Sequence, residues 1–152
     1  MDSSDKLPST DVALGMLTGL LGYNLRRAQV AVFQHFAQAM GAADITPGQF
    51  GVLHVINANP GLSQTQLGNA LGIDRSTVVA VLDRLEARGL VVRHSAPNDR
   101  RSHALRLSEE GAALLPKLEE MVRAHERHIA GALSPEDQRT LVNLLDRIAH
   151  AG

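Results

Sequence analysis

The residues with the clearest chemistry are cations and hydroxyls gathered in one part of the chain. Five arginines lie between Arg88 and Arg106, where Asp99 is the single acid. Just before them stands the polar run Asp74-Arg75-Ser76-Thr77. Guanidinium and hydroxyl groups bind DNA phosphates, and arginine can also donate two hydrogen bonds to a guanine edge. The formal net charge of −1 does not oppose this, because the local field facing a duplex decides the interaction. This segment therefore predicts a nucleic-acid-binding surface.

Two capped helices precede the basic segment. Ser63 and Gln66 have the spacing of a capping box that opens a short helix, and Gly72 suits its left-handed end. Asp74 is placed to cap the next helix, which should end before Gly89. This order predicts a helix-turn-helix, whose second helix presents its amino end to the major groove.

A β-hairpin is predicted directly after these helices. Leu90–His94 and His103–Leu107 are short β-type runs, and the turn residues Ser95–Asp99 separate them. The tip carries two adjacent arginines on a loop that is thin enough for the minor groove, where a neighbouring carboxylate can brace a guanidinium. Arg84 and Arg88 are expected near the DNA backbone. The predicted DNA contacts are Ser63, Gln64, Asp74, Arg75, Ser76, Thr77, Val78, Arg84, Arg93, Asp99, Arg100, Arg101 and Ser102.

The flanking segments are predicted to be helical. From Asp11 to about Gly41, apolar residues recur at helical spacing, which predicts a single long first helix. Thr46-Pro47-Gly48-Gln49 opens a second helix, and Ser108 and Ser134 cap two more near the C-terminal end. The predicted fold is mainly α with a small β-hairpin wing. It comprises a winged helix-turn-helix domain and helices from both termini.

Four blocks of the sequence resemble the MarR family of bacterial and archaeal transcriptional regulators. They are Asp74-Arg75-Ser76-Thr77-Val78, Leu82-Asp83-Arg84-Leu85-Glu86-Ala87-Arg88-Gly89-Leu90-Val91, Asn98-Asp99-Arg100-Arg101-Ser102 and Leu105-Arg106-Leu107-Ser108-Glu109-Glu110-Gly111. The resemblance covers essentially the whole chain. It implies a homodimer that binds a pseudo-palindromic operator, usually as a repressor, with Arg101 entering the minor groove.

The chain is also expected to divide into segments with different functions. The expected parts are a flexible tail (1–10), an N-terminal dimerisation helix (11–45), the winged helix-turn-helix DNA-binding domain (46–108) and C-terminal dimerisation helices (109–152). The dimer contacts themselves are expected at about residues 11–25 and 125–149. The expected partners are double-stranded operator DNA and a second copy of the chain.

A small-molecule effector is the third partner that the resemblance implies. Such a ligand, an aromatic or anionic acid or its thioester, would bind between the dimer helices and the DNA-binding lobe and release the DNA. The polar residues expected to line its pocket are Tyr23, Arg26, Arg27, His35, His54 and His125. His125 falls on the apolar stripe of its helix, so a satisfied core histidine is an alternative. The arginines could equally be solvated or form salt bridges across the dimer.

Other classes of function find less support in the sequence. The chain has no cysteine, which excludes disulfides and thiol redox sensing. It has no glycine-rich phosphate loop, nucleophile elbow or metalloprotease helix motif, so we expect neither catalysis nor a cofactor. His125 and His128 are spaced for one helix face, but no carboxylate is placed to complete a metal site. A protein-interaction module and a metal-responsive regulator remain the alternatives.

The N-terminal segment predicts a cytoplasmic protein without a membrane partner. It lacks the basic region of a signal peptide, and its most apolar stretch, Val12–Gly22, is too short to cross a bilayer.

Overall fold

The computed structural model describes residues 12–96 and 99–151, and within this part the side chains of residues 96–103 are not described. The predicted tail, residues 1–10, lies outside the described residues. The elements in chain order are a 3₁₀ helix (Gly15–Gly19), α1 (Leu21–Met40), a second 3₁₀ helix (Gly41–Ala43), α2 (Pro47–Ala58), α3 (Gln64–Leu71), α4 (Arg75–Ala87), β1 (Val91–Ala96), β2 (Asp99–Leu107), α5 (Glu109–Ile129) and α6 (Pro135–Ala149). The predicted fold class, mainly α with a β-hairpin, is confirmed. The chain divides into two compact units between Gln34 and His35.

The helix starts follow the predicted capping chemistry. Thr46 Oγ1 accepts from the Gln49 backbone at 3.1 Å, and the Gln49 side chain accepts from the Thr46 backbone at 3.2 Å. Ser63 and Gln66 form the same reciprocal pair at 2.9 and 3.0 Å. Gly72 ends α3 with φ 66°, a left-handed conformation that a side chain would strain. The turn between α3 and α4 is therefore specified locally.

The core of the second unit joins the helix-turn-helix to the hairpin and to α5. Its most buried aliphatic residues come from α2, α3, α4, the two strands and α5, and include Val52, Leu53, Ile56, Leu67, Val78, Leu82, Leu85, Val91, Leu105, Leu115 and Leu118. The hairpin is also held by its backbone. Gly61 N donates to Leu105 O at 2.8 Å, and Leu105 N donates to Leu62 O at 2.9 Å. These bonds fix the base of β2 against the loop that precedes α3.

The hairpin is longer than the sequence predicted. β1 and β2 pair antiparallel from Val91↔Leu107 to Ser95↔His103, and the register shifts between Ser95 and Ala96. Its existence and the direction of its strands are confirmed.

The prediction of one continuous first helix is wrong. A 3₁₀ helix occupies Gly15–Gly19, and α1 begins only at Leu21 because Leu20 has extended backbone with ψ 135°. Gly15 has φ +60°, which the α-helix does not allow. The Asn24 amide donates to the carbonyls of Thr18 (3.0 Å) and Leu20 (2.8 Å), and Leu20 O also accepts from Asn24 N at 3.1 Å, so the side chain of Asn24 connects the 3₁₀ helix to the first turn of α1.

Large apolar side chains lie exposed in both units. In the first unit they are Val12, Leu14, Met16, Leu17, Leu20, Leu21, Leu25, Val30 and Phe33. In the second unit they belong to α6, which buries none of its residues although Leu141, Val142, Leu144, Leu145 and Ile148 repeat at helical spacing. No helix in the described residues has the length and apolar character needed to span a bilayer.

Candidate nucleic-acid interface

The amino end of α4 is organised by Asp74. Its Oδ1 accepts from the Thr77 backbone at 2.8 Å and from the Ser76 hydroxyl at 2.7 Å. These bonds, the one from the Thr77 backbone first, hold the pKa of Asp74 below its ordinary value. The carboxylate is thus ionised and already engaged, so Asp74 sets the start of the helix and the orientation of Ser76.

One face of α4 is free to meet a ligand. Arg75, Ser76, Thr77 and Arg84 are exposed, and neither arginine forms an ion pair with any residue that the structure describes. An open groove of about 400 Å³ runs between this face and the amino end of α2, lined by Thr46, Gln49, Ser76, Thr77, Ala80, Val81 and Arg84. Hydroxyls, a guanidinium and the positive end of a helix dipole meet there, which is the chemistry that binds phosphate.

Val78 does not belong to this face, and its predicted DNA contact is wrong. The side chain is 1% exposed and lies in the core. A Cβ added to Gly68 of α3 would lie only 3.1 Å from Val78 Cγ2, so α3 and α4 approach each other closely there. The spacing of α4 turns Val78 toward α3, away from the exposed side of the helix.

The prediction that Arg93 contacts DNA directly is also wrong. It lies on β1, its side chain is 15% exposed, and it forms ion pairs with Asp83 and Glu86 of α4, the latter between Nε and Oε2 at 3.5 Å. Its Nη1 donates to Gln64 Oε1 at 3.3 Å. Two carboxylates therefore neutralise this guanidinium, which connects the hairpin to both helices of the motif. Acids three residues apart on one helix face, followed by an arginine in the next strand, were the available sequence signal.

Arg88, which was predicted to lie near the DNA backbone, is exposed, and its guanidinium is hydrogen-bonded within the protein. Its Nη1 and Nη2 donate to the carbonyls of Asp44 and Ala43, both at 2.8 Å. Asp44 has φ 49°, and it ends the second 3₁₀ helix. Arg88 therefore connects the end of α4 to the segment between α1 and α2.

The remaining predicted contacts lie at two places. Ser63 and Gln64 are half-buried at the amino end of α3, where Ser63 Oγ accepts from Gln66. The predicted wing residues Asp99, Arg100, Arg101 and Ser102 lie on the backbone of β2, but their side chains are outside the described part of the structure.

The six predicted effector residues fall into separate groups. Tyr23, Arg26 and Arg27 line one groove of α1, with Arg27 Cζ 5.8 Å from the centroid of the Tyr23 ring. His54 stacks on Phe50 in α2, with the ring centroids 5.9 Å apart.

His35 and His125 come together in the second unit. Their Nδ1 atoms are 2.8 Å apart, so one ring donates and the other accepts. His125 is 2% exposed and meets Phe36 edge-on, while His128 stacks on His35 with the centroids 3.9 Å apart. Burial first, and then the neighbouring histidines, lower the pKa of His125. The structure thus favours the interpretation of His125 as a buried core histidine with a hydrogen-bond partner over its interpretation as an effector ligand. Within the described residues, no three acidic or histidine side chains are placed to hold a metal ion.

The chain matches known regulators along most of its length. Residues 43–102 match the sequence model of the MarR family. A putative transcriptional regulatory protein for the hcr operon of Thauera aromatica is 40% identical over 135 residues, which is 88% of this chain and 81% of that protein. The chain belongs to the MarR family. As a MarR-family protein it is a DNA-binding transcriptional regulator, as the sequence predicted.

Solved structures of MarR-family regulators agree with this assignment. The transcriptional repressor CouR bound to a 23-mer DNA duplex is 42% identical, with a TM-score of 0.87 over 92% of this chain and 99% of that chain. CouR bound to p-coumaroyl-CoA is 38% identical, with a TM-score of 0.86 over 93% and 100%. PcaV from Streptomyces coelicolor, in complex with its natural ligand, is 31% identical, with a TM-score of 0.84 over 92% and 98%.

Proposed function

We propose that this MarR-family regulator is a repressor that binds a pseudo-palindromic operator as a homodimer. The observation that carries the proposal is the two-sided character of α4. Its amino end exposes Arg75, Ser76 and Thr77, whereas Val78 and Leu82 bury the opposite face. A helix anchored in this way and open at its amino end is suited to the major groove.

The proposed contacts follow from the chemistry of each side chain. Arg75 reads a guanine edge, and Thr77 and Arg84 hold phosphate in the groove beside α2. Ser63 and Gln64 contact the backbone at the amino end of α3. The wing, through Asp99, Arg100, Arg101 and Ser102, reaches the adjacent minor groove. Asp74 and Arg93 act as positioning residues, the first for α4 and the second for the hairpin.

The dimer is proposed to form from the N-terminal segment and the C-terminal helices, with its contacts at about residues 11–25 and 125–149. In a single chain the large apolar residues of α6 are each 39–67% exposed, and in the first unit Met16 is 75% exposed. Contiguous apolar surface of this kind marks an interface. A two-fold dimer then presents two copies of α4 to two half-sites whose centres are about 10 bp apart.

The effector is proposed to be an aromatic acid or its coenzyme A thioester. CouR was solved with p-coumaroyl-CoA and PcaV with its natural ligand, and this chain is similar to both over most of its length. A ligand that binds more tightly to dimers in which the two α4 helices are misplaced for the operator lowers operator affinity. The loss of affinity equals that difference in ligand binding and is no larger. The protein is proposed to act by binding and without catalysis, in the cytoplasm where its operator lies.

The test begins by selecting bound duplexes from a random pool and measuring affinity for the selected site by fluorescence anisotropy. Arg75→Ala should weaken binding at least about tenfold and relax the preference at one base pair in each half-site. Arg123→Ala removes the same charge from an exposed position of α5 and should leave binding unchanged. A wild-type affinity for Arg75→Ala, or a selected site without two-fold symmetry, would contradict the proposal. Derepression of a reporter in cells lacking the protein tests the direction of control.

A further inference from the structure

The groove on α1 has a composition that the DNA-binding role does not explain. It is lined by Tyr23, Arg26, Arg27, Val30, Ala31 and Gln34, all within the first unit. α1 contains no acidic residue. Among the described residues, neither Arg26 nor Arg27 forms an ion pair. Two neighbouring guanidiniums thus remain without a counter-charge on one open surface.

The chemistry of this groove is that of a polyanion site with an aromatic wall. A guanidinium presents a planar fork of donors that matches phosphate oxygens, so two of them suit a doubly charged phosphate or a pyrophosphate. Arg27 lies over the Tyr23 ring at 5.8 Å, which orients its fork and leaves an aromatic surface beside it. A small aromatic acid carries a single carboxylate and would neutralise only one of the two cations.

We propose that Arg26 and Arg27 bind the phosphates of a coenzyme A thioester, so that the regulator responds to the thioester and not to the free acid. This inference rests on the effector class in the proposed function, an aromatic acid or its coenzyme A thioester, and selects the thioester. It assigns to α1 the phosphate-bearing end of the ligand. Tyr23 serves as a positioning residue that holds the Arg27 guanidinium in place.

The experiment measures ligand binding directly by isothermal titration calorimetry on the full-length protein. The probes are p-coumaroyl-CoA, coenzyme A and p-coumarate. Wild type should bind the thioester best, bind coenzyme A measurably, and bind p-coumarate weakly or not at all. The double variant Arg26→Gln/Arg27→Gln should bind p-coumaroyl-CoA at least about tenfold more weakly, the loss expected for charged hydrogen bonds. Its affinity should also depend less on salt, because fewer charges meet across the interface.

Matched controls separate a lost contact from a lost fold. Arg123→Gln makes the same change on an exposed surface of α5 and should leave the thioester affinity unchanged. Circular dichroism and gel filtration should show both variants folded and in the wild-type oligomeric state, since both arginines of the groove are exposed. Arg27→Lys keeps the charge but not the fork, and it should lose part of the affinity.

Each outcome decides the matter. Wild-type thioester affinity in the double variant, or binding of p-coumarate as tight as that of the thioester, overturns the inference. Either result leaves the operator function standing when the wild-type protein still binds its selected duplex. If the wild-type protein binds no duplex specifically, the proposed function itself fails.

Discussion

Replacement of Gly111 by alanine should strongly destabilise the fold, because the added methyl group has no room. An ideal Cβ at this position would lie 2.1 Å from Leu90 O and 3.1 Å from Leu90 C. Both atoms are backbone, and Leu90 O already accepts from Ser108 N at 3.0 Å. Relief of the contact requires the start of α5 to move by about 0.9 Å from the turn after α4, since real Cβ contacts begin near 3.0 Å. Overpacking of this kind costs typically about 1–3 kcal/mol, and a rigid backbone neighbour places Gly111→Ala at or above the upper end.

The matched control is Gly51→Ala in α2. No atom lies within 4 Å of the Cβ that the change would add. Within a helix, alanine is preferred to glycine by about 0.5–1 kcal/mol, so this variant should be more stable than the wild type. Urea unfolding of both variants at one fixed protein concentration gives the two free energies of unfolding with opposite signs of change. If Gly111→Ala unfolds at the wild-type midpoint, the close approach of α5 to Leu90 is not present in solution.

Three further predictions concern the interface and the buried histidine. Arg84→Met should lower the slope of log affinity against log salt by about one. Arg93→Met should weaken operator binding with an unchanged slope, because the charge of Arg93 is already neutralised within the protein. Fluorescence anisotropy from low to moderate salt compares the two variants. Arg101→Ala should weaken operator binding at least about tenfold with the dimer intact, and wild-type affinity would remove the wing from the mechanism. The folded state lowers the pKa of His125, so as the pH drops the unfolded chain takes up the proton first. The contribution of His125 to the free energy of unfolding should therefore be complete above the ordinary histidine pKa of 6.5 and fall as the pH drops below it. Urea unfolding across that range should show a shallower pH dependence for His125→Phe, and equal slopes would contradict this reading.

The parts of the fold that were predictable from sequence are those set by local chemistry. A hydroxyl three residues before a glutamine, as in Thr46 and Ser63, satisfies backbone donors whatever the rest of the chain does. Gly72 has the left-handed conformation that the predicted turn required. In these cases the information lies within four or five residues, so the sequence alone was sufficient.

The errors arose where a long-range contact or a change of backbone decided the outcome. The helical spacing of apolar residues continues through Leu20, but the break there depends on the backbone of Gly15 and Leu20, which periodicity does not report. Arg88 and Arg93 looked like free cations in a basic segment. Their partners, the Asp44 carbonyl and the Asp83 carboxylate, are distant in sequence or belong to another element. Charge counting cannot separate an arginine that is free to contact DNA from one that is already hydrogen-bonded or ion-paired within the protein.

The engagement of Arg88 and Arg93 bears on how the regulator can be released. Arg93 is neutralised by two carboxylates and Arg88 donates to two carbonyls, whereas Arg75 and Arg84, the two cations of α4 itself, are exposed without an ion pair among the described residues. With only two such cations, α4 depends on correct placement of both of its copies in the dimer more than on its total charge. Allosteric coupling typically supplies about 1–3 kcal/mol, a change of about 5–150-fold in affinity. A loss of affinity of this size releases a protein that a few well-placed contacts hold on its operator. A highly cationic protein would stay bound, because its attraction to DNA does not depend on sequence. The use of Arg88 and Arg93 in contacts within the protein therefore favours a regulator that its effector can switch.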